Sequence, residues 1–336
     1  MLSTRQISIF KTIVEEFTRS AEPVGSKNLM NILEFSCSSA TIRNEMAMLE
    51  EEGLLEKTHT SSGRIPSSKG YRYYVENLME RELEDDVKNS LITVFKERHY
   101  SLDEIVKKSC DILSQMTHLT SVVLGPDASA QTLAHIQLVP INEKSAVAIF
   151  ITDNGHTENK IFEFEREVSI KDLQTCTQIL NEKLIGTRLS EVLEKMNDLE
   201  PLLAAHISRH EILFQAFVSA FVKFASDNVY CSGQSNMLYH PEFADIEKLK
   251  QLMSMLEDST LWRQIGHSDG DMTIRIGSNE LIASDDISVV SSKFTLGDGE
   301  EGQLMVVGPT RMPYNKVVAL CEFMSKAIEE MFKNEN

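Results

Sequence analysis

Apolar side chains recur at helical spacing from the start of the chain. In TRQISIFKTIVEEFT, Ile7, Phe10, Val14 and Phe17 predict an amphipathic first helix, and AEPVG stops it with a proline and a glycine. Ser26 is read as the N-cap of a short second helix, KNLMNIL, after which EFSCSS turns the chain into a third helix starting at Ser38 or Ser39. Ile42, Met46 and Leu49 form the apolar stripe of that third helix. Ala40, Thr41, Asn44, Ala47 and Met48 then face outward, with Arg43 on the flank. Gly53 stands where a helix ends in a left-handed residue. LLEKT, HTSSG and RIP follow as strand, tip and return strand. Two short helices joined by a tight turn and followed by a hairpin make a winged helix-turn-helix pattern.

Downstream the pattern changes twice. GYRYYVENLMERELEDD reads as a helix with Tyr71, Tyr74, Val75 and Leu78 on one face, and RELEDDVKNS as a solvated linker. The helix SLDEIVKKSCDILSQM leads to a strand, LTSVVLG. Three apolar runs, LAHIQLVPI, SAVAIFIT and NKIFEFE, are separated by NEK and DNGHT, the turn signals of a three-stranded antiparallel sheet. A helix-rich stretch from Ile170 ends in PLLAAHISRHEILFQAFVSAFVKFA, which carries more apolar surface than one helix face needs. An isologous dimer interface accounts for the excess, and so does burial within the chain. From Asn228 the strands NVYCSG, MTIRIG, ISVVSSKF and GQLMVVG surround a helix at 244–257, and NKVVALCEFMSKAIEEMF closes the chain. With LTSVVLG they predict a five-stranded sheet flanked by helices.

Composition narrows the class. With 336 residues, 42% of them hydrophobic, the chain has length enough for two or three domains with ordinary cores. No apolar run approaches the roughly 18 residues of a membrane span, and MLSTRQISIF has no signal-peptide pattern, so the expected compartment is the cytoplasm. Five scattered cysteines without a CxxC pair point to neither a disulfide framework nor a zinc ribbon. The net charge of −18 is unevenly spread. Through Val75, nine Lys and Arg balance nine Asp and Glu, so all the excess acid lies downstream. Between Lys57 and Val75 the cations Lys57, Arg64, Lys69 and Arg72 meet no carboxylate.

That local cationic surface on an anionic body points to double-stranded DNA. Acids on the third helix begin at Glu45 and gather at Glu50, Glu51 and Glu52. Its amino-terminal half is free to lead into a major groove, where its dipole favours phosphate. Ser39, Thr41, Arg43 and Asn44 are the expected recognition residues. His59, Thr60, Ser61, Ser62 and Arg64 are expected to contact phosphate or the minor groove from the wing, and Lys69 and Arg72 to contact phosphate behind it. A three-helix protein-interaction module uses similar helix patterns, but it has no need of the cationic wing. Tyr71 and Tyr74 are read as core and not as stacking platforms.

Catalytic and cofactor chemistry finds little support. GDGEEG has the G-x-G-x-x-G spacing, yet strand follows it and its acids repel a pyrophosphate, so it is read as a hairpin loop. His206 and His210 are four apart without a third ligand or the glutamate of a metalloprotease helix. Arg311 precedes a helix N-terminus, a place for an anion or for a structural salt bridge. The expectation is a non-enzymatic protein with neither metal nor cofactor.

SSATIRNEMAMLEEEGLLEKTHTSSGRIPSSKGYRYYV resembles the signature of the HrcA family of bacterial heat-inducible transcription repressors. EPVGSK, SGQSNMLYHPEFAD, ISVVSSKF and GPTRMPY resemble further blocks of that family, in order. The chain departs from the family pattern at Thr58 and Ser62 in the wing and at Pro313. The resemblance implies an α+β chain with an N-terminal winged helix-turn-helix domain (1–80), a discontinuous GAF-like domain (81–127 and 225–336) and a dimerisation domain inserted into it (128–224). It further implies a homodimer on an inverted-repeat operator of chaperone operons, with the GroEL chaperonin as modulating partner. The alternative is a winged-helix regulator governed by a small effector in the GAF-like domain.

Overall fold

Helix α1 (Thr4–Ser20) opens with a reciprocal cap. The Ser3 hydroxyl accepts from the Gln6 amide at 3.2 Å, and Gln6 Oε1 accepts from the Ser3 amide at 2.9 Å. Its fully buried residues are Ile9, Phe10, Ile13 and Val14, so the stripe is centred between the expected positions, with Ile7 and Phe17 only half-buried. Helix α2 (Ser26–Ile32) is capped by Gly25 and not by Ser26. The Ser26 hydroxyl is buried and turned to the next helix instead. Helix α3 (Ser39–Glu51) is capped by Ser38 and buries Ile42, Met46 and Leu49, as its wheel predicts. Each of those side chains contributes about 1.5–3 kcal/mol by leaving water. Gly53, at φ +74°, ends α3 in a Schellman motif: its amide bonds the Glu50 carbonyl, and the Leu54 amide bonds that of Leu49, both at 2.9 Å.

Strands β1 (Leu55–Lys57) and β2 (Arg64–Pro66) pair antiparallel, and Val24 adds a two-bond bridge to Arg64 on the other edge. The chain between α1 and α2 therefore works as a third strand of the hairpin. Helix α4 (Ser68–Asn77) stops short of the long helix expected there, with Tyr71, Tyr74 and Val75 buried. Desolvation pushes the Tyr74 phenol up to about 12, the behaviour of a core ring. The computed structural model describes residues 2–33, 37–58, 63–81, 83–96, 102–125, 131–153, 157–164, 166–208, 210–226, 229–266, 270–296 and 299–333.

The expected solvated linker is instead helix α5 (Asp85–Lys96), whose Leu91 is buried. Its acids Asp85 and Asp86 occupy the first turn, where the helix dipole favours them, so charge density was the wrong signal there. Helix α6 (Leu102–Thr117) and strand β3 (Thr120–Leu124) follow. Residues 125–229 then form a compact unit of their own. In it β4 (Leu133–Asn142), β5 (Ser145–Thr152) and β6 (Thr157–Glu163) make the expected antiparallel sheet in that order. Helices α7 (Ile170–Leu184), α8 (Leu189–His206) and α9 (His210–Ser226) complete the unit. Phe217 and Phe221 of α9 pack against Phe150 of β5, with ring centroids 5.4 and 5.9 Å away, so part of the apolar excess of this stretch is used inside the unit. The Asn181 amide of α7 satisfies both backbone groups of Ile136 on edge strand β4.

Residues 1–124 and 230–336 make the other unit. Its sheet runs β7 (Val229–Ser232), β3, β10 (Glu301–Pro309), β9 (Ile287–Thr295), β8 (Met272–Ile276), the five strands expected from the sequence. Strands β9 and β10 pair antiparallel from Thr295 and Glu301 onward; Gly297 and Asp298 of GDGEEG, between them, lie outside the described residues. Helices α10 (Ile246–Glu257) and α11 (Ser259–Gly266) precede β8, and α12 (Tyr314–Lys333) closes the chain. Val317, Leu320 and Met324 of α12 share one apolar cluster with Val290, Phe294 and Leu304 of the sheet. The same apolar core runs without a break into Ile9, Ile42, Leu49 and Tyr71. No helix among the described residues is long and apolar enough to cross a membrane.

The tightest backbone approach in the amino-terminal part is at Gly70 of α4. A Cβ there would stand 2.1 Å from the Leu54 carbonyl oxygen. Gly70→Ala is therefore expected to lower stability by about 1–3 kcal/mol despite alanine's better helix propensity. Urea denaturation measures this, and an unchanged midpoint would mean that α4 can move away from β1 at no cost.

Candidate nucleic-acid interface

The amino-terminal end of α3 is fixed by hydroxyls. Ser38 Oγ accepts from the Thr41 amide at 3.1 Å and lies 2.9 Å from Thr41 Oγ1. Ser39 Oγ lies 2.9 Å from Ser26 Oγ, which also accepts from Arg43 Nε at 3.3 Å. Ser39, Thr41 and Arg43 are thus joined to α2 and to the cap. Arg43 and Asn44 are exposed, along with Ala40 and Met48, and Asn44 makes no hydrogen bond among the described residues. With no acidic residue in its first turn, α3 keeps its positive dipole end uncompensated.

The cations behind this face are woven into the fold more closely than their sequence positions imply. Arg64 on β2 has only 12% of its side chain exposed, and its Nε and Nη2 both sit 2.8 Å from Glu50 Oε2. Lys57 approaches the same carboxylate at 3.5 Å with 60% of its side chain exposed. Lys69 is exposed and donates to the Glu52 carbonyl at 2.7 Å, which caps the end of α3. Arg72 donates to the Ile276 carbonyl of β8 at 2.8 Å. Glu45, the first acid of α3, pairs with Arg5 at 3.5 Å. His59, Thr60, Ser61 and Ser62 lie outside the described residues.

Sequence reasoning missed Ser26 and Lys27. The Ser26 hydroxyl links the two helices of the turn, and Lys27 beside it is exposed. EPVGSK gave no signal for this, because Ser39 and Arg43 lie 13 and 17 residues further along the chain. His206 and His210, by contrast, lie on different helices, one ending α8 and the other beginning α9. His206 Nδ1 lies 3.0 Å from the carbonyl of Leu202 on its own helix. Arg311 forms the structural salt bridge, with Glu242.

The model of the HrcA protein C-terminal domain matches residues 103–318. The chain is 40% identical to the heat-inducible transcription repressor HrcA of Bacillus pumilus, over 99% of both chains. It belongs to the HrcA family. A second repressor of that name, from Halalkalibacterium halodurans, is 38% identical over 98% of each chain. A solved structure described only as a hypothetical protein matches the full length of both chains with a TM-score of 0.72 at 22% identity, a likeness of fold. HrcA proteins are repressors of heat-inducible transcription, a family of regulators and not of enzymes.

For an HrcA repressor the Glu50–Arg64 pair has a measurable consequence. Glu50→Gln removes the carboxylate that holds Arg64 and neighbours Lys57. The affinity for random-sequence DNA is expected to rise, and the slope of log affinity against log salt to steepen by about one unit. An unchanged slope in a salt titration would show that Arg64 stays committed to the β1–β2 hairpin without Glu50.

Proposed function

We propose that the three helices and the β1–β2 hairpin are a winged-helix domain that reads an inverted-repeat operator. In this reading α3 lies in the major groove, and the carboxyl-terminal part of the chain is GAF-like with residues 125–229 inserted for dimerisation. The observation that carries the reading is the exposed, acid-free leading face of α3, with Arg43 and Asn44 side by side above a buried Ile42–Met46–Leu49 stripe. Arg and Asn are the side chains suited to bidentate bonds with guanine and adenine edges. Ser39 and Thr41 order the leading turn, and the backbone amides there face phosphate. Lys69 and Arg72, bonded to carbonyls and not to carboxylates, serve phosphate from behind the hairpin. His59, Thr60, Ser61 and Ser62 form the wing tip of this reading, and Arg64 stiffens its base.

Dimerisation fits the outer face of the β4–β5–β6 sheet. Val139, Val147 and Ile161 stand in register across all three strands, with Val139 39% and Ile161 67% exposed and Ile141 adding 55%. A face of that composition on a sheet whose other side is already buried supports a self-complementary contact. The family resemblance adds that the operator lies upstream of chaperonin operons and that GroEL keeps the repressor active until unfolded clients compete for it. In physical terms GroEL sets the population of folded dimer, which one or two kcal/mol change several-fold.

The test is fluorescence anisotropy of a labelled inverted repeat against a scrambled duplex at one near-physiological salt concentration. The protein is expected to prefer the repeat by about three orders of magnitude or more, with GroEL raising the active fraction after mild heating. Arg43→Ala or Asn44→Ala should reduce that discrimination by about 1–3 kcal/mol for each base edge no longer read. Equal binding to both duplexes by folded dimer would sink the operator reading, and indifference to GroEL would sink the feedback alone.

Ile161→Asp places a charge at the most exposed position of the apolar row, on edge strand β6. The variant is expected to sediment as a monomer at concentrations where the parent is a dimer, with its melting temperature little changed. A dimer as tight as the parent's would move the interface elsewhere.

A further inference from the structure

Two sequence blocks that the DNA-binding reading leaves unused, LYHPEFAD and GPTRMPY, meet beside α1. Arg311, with 12% of its side chain exposed, is held there from two sides. Its Nε donates to Glu242 Oε1 and its Nη2 to Glu242 Oε2 at 3.3 Å, while Nη2 also lies 3.4 Å from His240 Nδ1. Its remaining arm, Nη1, donates to the carbonyl of Thr18 in the last turn of α1 at 3.1 Å. Burial and then the Arg311 charge hold His240 below the usual imidazole range. Three residues beyond Arg311, the buried ring of Tyr314 packs against Tyr71 of α4 at 5.8 Å. Arg72 supplies a third tie, to the Ile276 carbonyl.

An apolar contact such as Tyr71–Tyr314 tolerates sliding. A guanidinium whose donors are assigned to a carboxylate, an imidazole and one carbonyl does not, because displacement leaves buried charge unpaired. Set against well-packed apolar residues, such a group adds little net stability, but it selects one arrangement. The arrangement selected here is that of the three-helix head on the five-stranded sheet.

We propose that Arg311 is a positioning residue for operator recognition: gripped by Glu242 and His240, it holds the Thr18 carbonyl and so fixes the angle of the amino-terminal head on the sheet. This rests on the reading that the head binds DNA. A dimer gains from the second half of an inverted repeat only if both heads are presented at matching spacing and orientation, since the effective concentration of the second head depends on geometry. One half-site makes no such demand. Arg311 lies outside the reading face, so its removal leaves the intrinsic contacts of each head intact.

The experiment compares full-length parent, Arg311→Ala and Glu242→Gln, the last keeping the shape of the carboxylate without its charge. The probes are two labelled duplexes, one with the whole inverted repeat selected by the parent from random sequence and one with a single half-site. Hydrogen exchange is measured on the same samples without DNA. Arg311→Ala is expected to weaken binding to the whole repeat about tenfold while half-site binding stays within about twofold. Glu242→Gln should shift both in the same direction by less. Exchange should quicken at residues 18–21 and 308–314 while 9–14 and 42–49 remain protected. Equal weakening on both duplexes, an unaltered whole-repeat affinity or tighter binding would overturn the proposal. A parent that selects no repeat would remove the DNA reading instead. The exchange arm then decides alone: quickening confined to the seam supports the latch, and unchanged or uniform exchange overturns it.

Discussion

The amino-terminal part of the molecule depends on α4 lying in backbone contact with the hairpin. Gly70 makes that approach possible, and the residues on either side of it are all committed. The Ser67 hydroxyl donates to the Gly53 carbonyl and accepts from the Gly70 amide. Lys69 closes the end of α3. Tyr71 enters the common core against Tyr314, and Arg72 bonds β8. One short helix therefore joins α3, the hairpin and the five-stranded sheet. A change at α4 is transmitted to both the leading helix and the body, because packed interfaces of this kind have few alternative arrangements.

The same economy explains why the cationic corner is modest in free charge. Arg64 is balanced by Glu50, Lys69 by a helix-end carbonyl and Arg72 by a strand carbonyl. A carbonyl does not neutralise a charge, so Lys69 and Arg72 still contribute to the local potential, while Arg64 is largely cancelled at close range. For a repressor this limits sequence-independent affinity, which scales with the phosphates neutralised. In the proposed reading it leaves a larger share of binding to contacts that distinguish one base from another.

The helices and strands were legible wherever one face is buried and the other wet. The Ile42–Met46–Leu49 stripe and the alternation of β5 follow from period, whereas β3, β9 and β10, buried on both faces, were legible as continuous apolar runs. Reading failed where charge stood in for conformation. RELEDDVKNS looked like linker because acids are common in linkers, yet acids are equally at home in the first turn of a helix, and Leu91 gives α5 something to bury. Ser26 looked like a cap because caps are commonly serines. Its hydroxyl is drawn instead to Ser39 and Arg43, partners that only the tertiary fold brings near. Likewise the spacing of His206 and His210 implied one helix, and the break between α8 and α9 separates them. The candidate site shows the same limit: sequence proposed its residues, but the carboxylate and carbonyls that hold Arg64, Lys69 and Arg72 are distant in the chain or belong to the backbone.

The acid excess then acquires a physical role. The first 75 residues are balanced, and the full −18 belongs to residues 76–336. A duplex approaching the body meets like charge, whereas one approaching α3 meets an uncompensated helix dipole, Arg43 and exposed lysines. At physiological salt this discrimination acts within about 8 Å of the surface, so it orients close encounters without attracting DNA from afar. In the proposed complex, repulsion by the body weakens every off-register pose more than the correct one. Under the proposed reading of α3, such a chain gives up total affinity for a larger difference between right and wrong poses, and that difference is what a repressor among many competing sites needs.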